Sequence, residues 1–311
     1  MAINILILLT GLALLYFGSS VLVEGSASTA IMFSVRPVII GLTIVSLATS
    51  APELLVSLVA AVKGSEGISL GNILGSNVIN IALVLGASAM IKPVAIKQQV
   101  ISIEIPYMVL ISFVFWLLCL DDNINRTDGF ILITLLIIFL GYGLYTASDK
   151  SQDRTRENKK DPVKILKNIA FILVGILMLA FGANLVVKEA IEMAEQIGLS
   201  QTFIGISVVA LGTSLPELAT SVVAAARGES DISVGNVVGS NLFNICLVMG
   251  VVGLFNPMQV EPSLHGFEFP FMIFICLTLW AMAYFFHGVG KKGGILLIAL
   301  FLVYLGVSYL K

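Results

Sequence analysis

Residues 41–64 read GLTIVSLATSAPELLVSLVAAVKG and residues 68–86 read ISLGNILGSNVINIALVLG; further on, residues 205–228 read GISVVALGTSLPELATSVVAAARG and residues 232–250 read ISVGNVVGSNLFNICLVMG. Windows 41–86 and 205–250 align at a constant offset of 164 without a gap, with 25 identities in 46 positions. The same offset pairs Phe17-Gly18 with Phe181-Gly182, so the segment ahead of the motif repeats too. The identities fall on polar, Gly and Pro positions set inside apolar runs. Such positions drift unless they do something, so the repeat is read as a working part.

The surrounding composition says where that part sits. Of 311 residues 58% are hydrophobic and only 12% charged, with a mean hydropathy of +1.03. Soluble domains carry about 25% charged residues. The apolar residues come in continuous runs of about 20, the length that crosses roughly 30 Å of hydrocarbon as a helix. A β-barrel would instead show short alternating segments. Ten spans are expected, at 3–23, 37–62, 68–90, 101–120, 128–147, 164–187, 200–226, 232–254, 267–286 and 293–310. The first is read as a retained span rather than a signal peptide, because no Lys or Arg precedes it and it recurs in the second copy. The expected class is an all-α integral membrane protein of ten helices: a first five-helix repeat (1–147), a polar linker (148–163) and a second five-helix repeat (164–311).

Five spans fit within one offset. An odd number of crossings makes the second copy enter from the opposite face, so the repeat is inverted, an architecture that gives two nearly equivalent, oppositely facing states. With the linker placed in the cytoplasm, its side of the membrane holds thirteen of the 17 basic residues and the other side four, Lys63, Arg126, Lys188 and Lys311. By the positive-inside rule the chain lies in the cell membrane with both termini outside. A net charge of −2 is too small to suggest nucleic acid or acidic partners, and Cys119, Cys246 and Cys276 sit singly in apolar runs with no CxxC pair, as packing residues.

Only Glu53 and Glu217 place a carboxylate in the central part of a span, one per repeat. A charge at that depth is costly and marks a functional site. No basic residue lies at comparable depth, so the carboxylates carry either a cation or a proton. Thr49 and Ser50 precede Glu53 by four and three residues, and Thr213 and Ser214 repeat this around Glu217, each set sharing one helical face. Asn72, Ser76 and Asn80 form an i, i+4, i+8 stripe matched by Asn236, Ser240 and Asn244. These are hard oxygen donors without imidazole or thiolate, suited to Ca²⁺ or Na⁺ and not to zinc or copper. Pro52 and Pro216 remove an N–H and open their helices near Ala48–Thr49 and Gly212–Thr213, freeing carbonyls that a cation can satisfy. Asn72 and Asn236 either ligate or bridge helices, Ser57 and Ser221 are read as helix-bonding hydroxyls, and Gly71, Gly75, Gly235 and Gly239 as packing residues of GxxxG pattern.

The paired (G/A)TS(L/A)PE and GN(I/V)(L/V)GSN(V/L)(I/F)N motifs resemble the α-repeats of the calcium/cation antiporter superfamily, especially its prokaryotic sodium/calcium exchanger branch, over nearly the whole chain. The resemblance implies an inverted five-plus-five fold and an antiporter that exchanges calcium for sodium by alternating access, with net charge moved per cycle. It further implies calcium ligands at Glu53, Glu217 and the backbone oxygens of Thr49 and Thr213. Sodium contributors would be Ser50, Ser214, Ser76, Ser240, Asn80, Asn244 and the carbonyls of Ser46 and Ala210. Ala48 departs from the Gly212 of the second copy, and Ser46 replaces the alanine seen at Ala210. Asn244 stands where potassium-dependent relatives carry Asp, which argues against potassium cotransport. No cofactor or protein partner is implied beyond the transported ions and the bilayer. A calcium/proton antiporter using the same glutamates is the nearest alternative, and a passive cation channel a further one. An enzyme is not expected: HExxH and G-x-S-x-G are absent, and His265 and His287 lie in a loop and at a helix end.

Overall fold

The computed structural model describes residues 2–146, 162–196 and 210–310. It is helical, as the apolar runs require. Helix α1 spans Ala2–Met32, α2 Pro37–Thr49, α3 Ala51–Val62, α4 Glu66–Ile91, α5 Val100–Leu118 and α6 Arg126–Tyr145. Helix α7 spans Pro162–Gln196, α8 Ala210–Thr213, α9 Leu215–Arg227, α10 Ser230–Phe255, α11 Glu268–Phe286 and α12 Lys291–Leu310. Among the described residues, eight helices are long and apolar enough to cross a membrane, and the bent pair α2–α3 adds a ninth. The linker at 148–163, but for its last two residues, and the first ten residues of the span expected at 200–226 lie outside the described residues.

Two helices outrun their expected spans. Helices α1 and α7 continue nine residues past 23 and 187, to Met32 and Gln196. Glu24 and Lys188 end the hydrophobic windows without breaking a hydrogen bond, so the helices go on. The two pack closely through glycines: a Cβ on Gly18 would lie 2.8 Å from Met178 Cβ, and one on Gly175 would lie 2.8 Å from the carbonyl of Gly18. Small residues let backbones approach where lipid offers no hydrophobic drive between helices. Phe17 and Phe181, their neighbours, face outward.

Helices α4 and α10 form the centre, with 83% of each hydrophobic window buried against 28% in α6 and 22% in α12. Around them the loops are tied in pairs. Strand β1 (Val94–Ala95) pairs antiparallel with β4 (Gly288–Val289), and β2 (Asn123–Ile124) with β3 (Met258–Gln259). The offset of 164 carries β1 onto β3, and β2 to within one residue of β4. Because β1 precedes α5 and β2 follows it, the two small sheets sit at opposite ends of that helix. Gly288, at φ +157°, passes so near Val94 that a Cβ would strike its carbonyl.

Polar ends close the scaffold. Arg36, just before α2, reaches Glu104 Oε1 at 3.5 Å and Thr146 Oγ1 at 3.2 Å, tying the entry of α2 to α5 and the end of α6. Asn125 caps α6 with a capping box to Asp128. His265 and His287 lie in a short 3₁₀ turn and at the end of α11.

Candidate functional site

The site forms where α2 meets α3 and α8 meets α9. Pro52 and Pro216 fall in the first two positions of α3 and α9, where a missing N–H costs nothing. The preceding residues, Ser50 (φ −82°, ψ 5°) and Ser214 (φ −86°, ψ 5°), leave helical geometry, and α2 and α3 meet at 44°. The breaks thus come one to two residues later than the carbonyls the prolines expose, because the residue that turns is the one able to adopt ψ near zero. Glu53 and Glu217 lie in the first turns of α3 and α9, where the helix dipole favours negative charge.

Each carboxylate is held by the other copy of the motif. Ser214 Oγ donates to Glu53 Oε1 at 3.3 Å, and Ser50 Oγ donates to Glu217 Oε1 at 3.2 Å. Ser240 Oγ adds a bond to Glu217 Oε1 at 3.4 Å. Thr49 Oγ1 donates to Asn236 Oδ1 at 3.1 Å, and Thr213 Oγ1 to Asn72 Oδ1 at 3.3 Å. Asn72 and Asn236 in turn donate to Ser57 Oγ (3.0 Å) and Ser221 Oγ (2.9 Å). Both asparagines therefore bridge helices, and Ser57 and Ser221 orient them. Each of these contacts has a counterpart displaced by 164, apart from the Ser240 bond.

Both glutamates are fully buried. Other buried carboxylates have conventional partners: Glu104 faces Arg36, and Asp128 accepts the backbone N–H of Asn125 at 2.9 Å. Among the described residues the ion pairs are Arg36–Glu104, Lys97–Asp231 and Asp122–His265, so no basic side chain neutralises Glu53 or Glu217. Among the described residues, five buried oxygens of the expected set find no hydrogen-bond partner: Glu53 Oε2, Glu217 Oε2, Ser76 Oγ, Asn80 Oδ1 and Asn244 Oδ1. The other unpartnered buried atoms are scattered hydroxyls, an amide nitrogen of Asn168, and atoms of the Arg36–Glu104 pair. Buried acceptors without a partner among the described residues, two of them carboxylate oxygens, are the kind of oxygen a hard cation takes.

The remaining expected residues take varied places. Ser46 O accepts from Ser50 N at 2.9 Å and from Thr49 Oγ1 at 3.3 Å. Ala210 is the first residue of α8, and the segment before it lies outside the described residues. Gly235 and Gly239 pack as read, with a Cβ on Gly239 falling 2.5 Å from Ser46 Oγ. Gly71 has nothing within 4 Å and Gly75 only the Tyr304 hydroxyl at 3.9 Å, among the described residues. Two residues escaped the sequence reading: Asn241 Oδ1 accepts from Asn80 Nδ2 at 3.2 Å, and Asn77 Oδ1 from Asn244 Nδ2 at 3.4 Å. The visible signal was their identity at the offset. It was masked because 77 and 241 fall off the i, i+4 stripe, while Asn80 and Phe243 begin wider π-helical turns that shift the phase.

The sequence profile of the sodium/calcium exchanger protein family matches residues 3–145 and 167–310. The chain belongs to this family. Among curated relatives of this exchanger, the inner membrane protein YrbG of Escherichia coli K12 is 32% identical over 97% of this chain and 96% of its own length. The putative antiporter CaxA of Alkalimonas amylolytica is 33% identical over 91% of this chain and 90% of its own. A solved structure of the sodium-calcium exchanger NCX_Mj superposes with a TM-score of 0.87 at 32% identity, over 98% of this chain and 99% of the other. The family consists of membrane exchangers, not enzymes, and the chain is a multi-pass membrane protein of that kind.

Proposed function

We propose that the protein is a secondary antiporter that exchanges calcium for sodium by alternating access, built as two inverted five-helix repeats. The observation that carries this reading is the reciprocal grip of Ser50 on Glu217 and Ser214 on Glu53, which makes one site from two copies of a motif. The pairing of β1 with β4 at one end of α5 and β2 with β3 at the other supports inversion, since an inverted copy carries equivalent loops to opposite faces. The protein NCX_Mj, so similar in fold, is itself called a sodium-calcium exchanger.

Glu53 and Glu217, with the backbone oxygens of Thr49 and Thr213, hold calcium. Ser50, Ser76, Asn80, Ser214, Ser240, Asn244 and the carbonyls of Ser46 and Ala210 serve sodium. At Ser46 a sodium ion displaces the Thr49 hydroxyl from the carbonyl it now bonds. Both cations draw on the same carboxylates, so they compete, and each drives the other off. An empty site would carry two uncompensated charges through a dry barrier, which suppresses uncoupled return. A proton-coupled exchanger needs only the two carboxylates. The unpaired oxygens of Ser76, Asn80 and Asn244 exceed that need and favour sodium.

The test is ⁴⁵Ca²⁺ uptake into proteoliposomes loaded with sodium, beside potassium-loaded and acid-loaded controls. Uptake driven only by the outward sodium gradient is expected. Uptake that follows the proton gradient and ignores sodium would replace the coupling ion, and steady conduction without countertransport would replace the antiporter with a channel.

A further inference from the structure

The amides of Asn80 and Asn244 end two short hydrogen-bond chains that start at sulfur. Asn241 Nδ2 donates to Met108 Sδ at 3.5 Å, and Asn80 Nδ2 donates to Asn241 Oδ1 at 3.2 Å. In the counterpart chain Asn77 Nδ2 donates to Met272 Sδ at 3.7 Å, and Asn244 Nδ2 to Asn77 Oδ1 at 3.4 Å. All six side chains are buried. At the far end of each chain the remaining oxygen, Asn80 Oδ1 or Asn244 Oδ1, has no partner among the described residues. Met108 and Met272 lie outside the two motif windows, yet they too are identical at the offset of 164.

An amide is nearly symmetric in shape and opposite in polarity at its two ends. A row of amides can therefore run either way unless one end is fixed. A thioether sulfur accepts hydrogen bonds and never donates. With sulfur at the start, Asn241 must turn its NH₂ outward to Met108 and its oxygen toward Asn80. Asn80 then spends its NH₂ on that oxygen, and its own oxygen is left for the site. Reversing the row would set an amide oxygen against sulfur and aim an NH₂ at the ions. We infer that Met108 and Met272 are positioning residues that fix the polarity of these chains, so that Asn80 and Asn244 present oxygen rather than nitrogen to the transported cation. The inference rests on the cation site proposed above. Leucine would fill the same space in a core, so packing alone does not call for sulfur at both positions.

Met108→Leu and Met272→Leu remove the acceptor and keep the volume. Affinity for sodium, the ion assigned to Asn80 and Asn244, is read from the rise in melting temperature on adding Na⁺, and from the sodium dependence of ⁴⁵Ca²⁺ flux. Each substitution is expected to weaken affinity about three- to tenfold, the range of one hydrogen bond's directing effect. The ion-free melting temperature should stay near that of the parent. The discriminating measurement repeats Met108→Leu in an Asn80→Asp background, with Met272→Leu in Asn244→Asp as the second arm. A carboxylate accepts with both oxygens, so Asn241 must turn its NH₂ toward it and its oxygen toward sulfur. There, removing the sulfur relieves a repulsion, and affinity should hold or rise. Unchanged affinity in Met108→Leu and Met272→Leu alone would overturn the inference, as would equal weakening in both backgrounds, which marks simple packing. Should the parent protein gain no stability from either ion, or Glu53→Gln gain as much as the parent, the cation site itself fails and the inference falls with it.

Discussion

Glu53 and Glu217 are the residues on which the proposed chemistry turns. Each has one oxygen held by a serine of the opposite copy and one oxygen without a partner among the described residues. Glu53→Gln or Glu217→Gln keeps the shape and removes the charge, and should abolish sodium-driven calcium flux; full activity in either variant would refute the assignment. Ser50→Ala and Ser214→Ala act one step back. Each strips a charge-assisted bond from the carboxylate across the site, a loss of about 1.5–3 kcal/mol for a hydrogen bond to a charged group. The carboxylate then wanders between rotamers, so calcium affinity should fall by about tenfold or more in equilibrium binding, and less in Ser50→Ala, where Ser240 still holds Glu217. Sequence made these residues legible, because a lone carboxylate in an apolar span is too costly to keep unless it holds a cation or a proton. It could not show that the serines serve the opposite glutamate. Spacing along one helix reports which side chains share a face, and the partner across the site belongs to a segment 167 or 161 residues away.

At the scale of elements, the prolines announced the two breaks, and the structure moves each to a serine. The long reach of α1 and α7 was not legible, since a hydropathy window ends at a charge while a helix does not. Close crossing of α2 on α10 was half legible, as a GxxxG pattern that names no partner. Its partner is Gly41, whose Cβ would lie 3.0 Å from Gly235 Cα. Gly239→Val should separate the two helices, because even a Cβ there falls 2.5 Å from Ser46 Oγ and 2.8 Å from the backbone of Leu42. Overpacking of this sort destabilises by about 1–3 kcal/mol, and here it also spreads the oxygens that Ser46 and Ser240 bring together. The melting temperature in detergent should drop, and calcium should restore less of it than in the parent. Gly141→Ala is the control: the position sits in α6 with nothing within 4 Å among the described residues. Removing a helix glycine there should stabilise by up to about 1 kcal/mol. A loss at position 141 matching that at 239 would show that glycine content, not the crossing, sets stability.

Across the whole molecule, hydrogen bonds and both small sheets join one copy of the repeat to the other, so neither half completes the site alone. A transporter made this way carries its binding charge with it, and its coupling is written in how that charge is balanced. On the proposed two-carboxylate site, calcium would cross as a neutral load. A sodium load of more than two positive charges would cross with the excess. One net charge across 100 mV is worth about 2.3 kcal/mol, so the calcium accumulation ratio should change about tenfold for every 60 mV per net charge moved. The sign follows from the direction of flow. When internal sodium leaves in exchange for entering calcium, the excess positive charge moves outward. An inside-positive potential, clamped with potassium and valinomycin, should therefore speed calcium uptake, and an inside-negative one should slow it. Uptake indifferent to the clamp would mean that sodium and calcium charges match and the cycle is electroneutral. Uptake faster at inside-negative potential would mean that calcium enters with excess charge of its own, which the two-carboxylate balance does not allow.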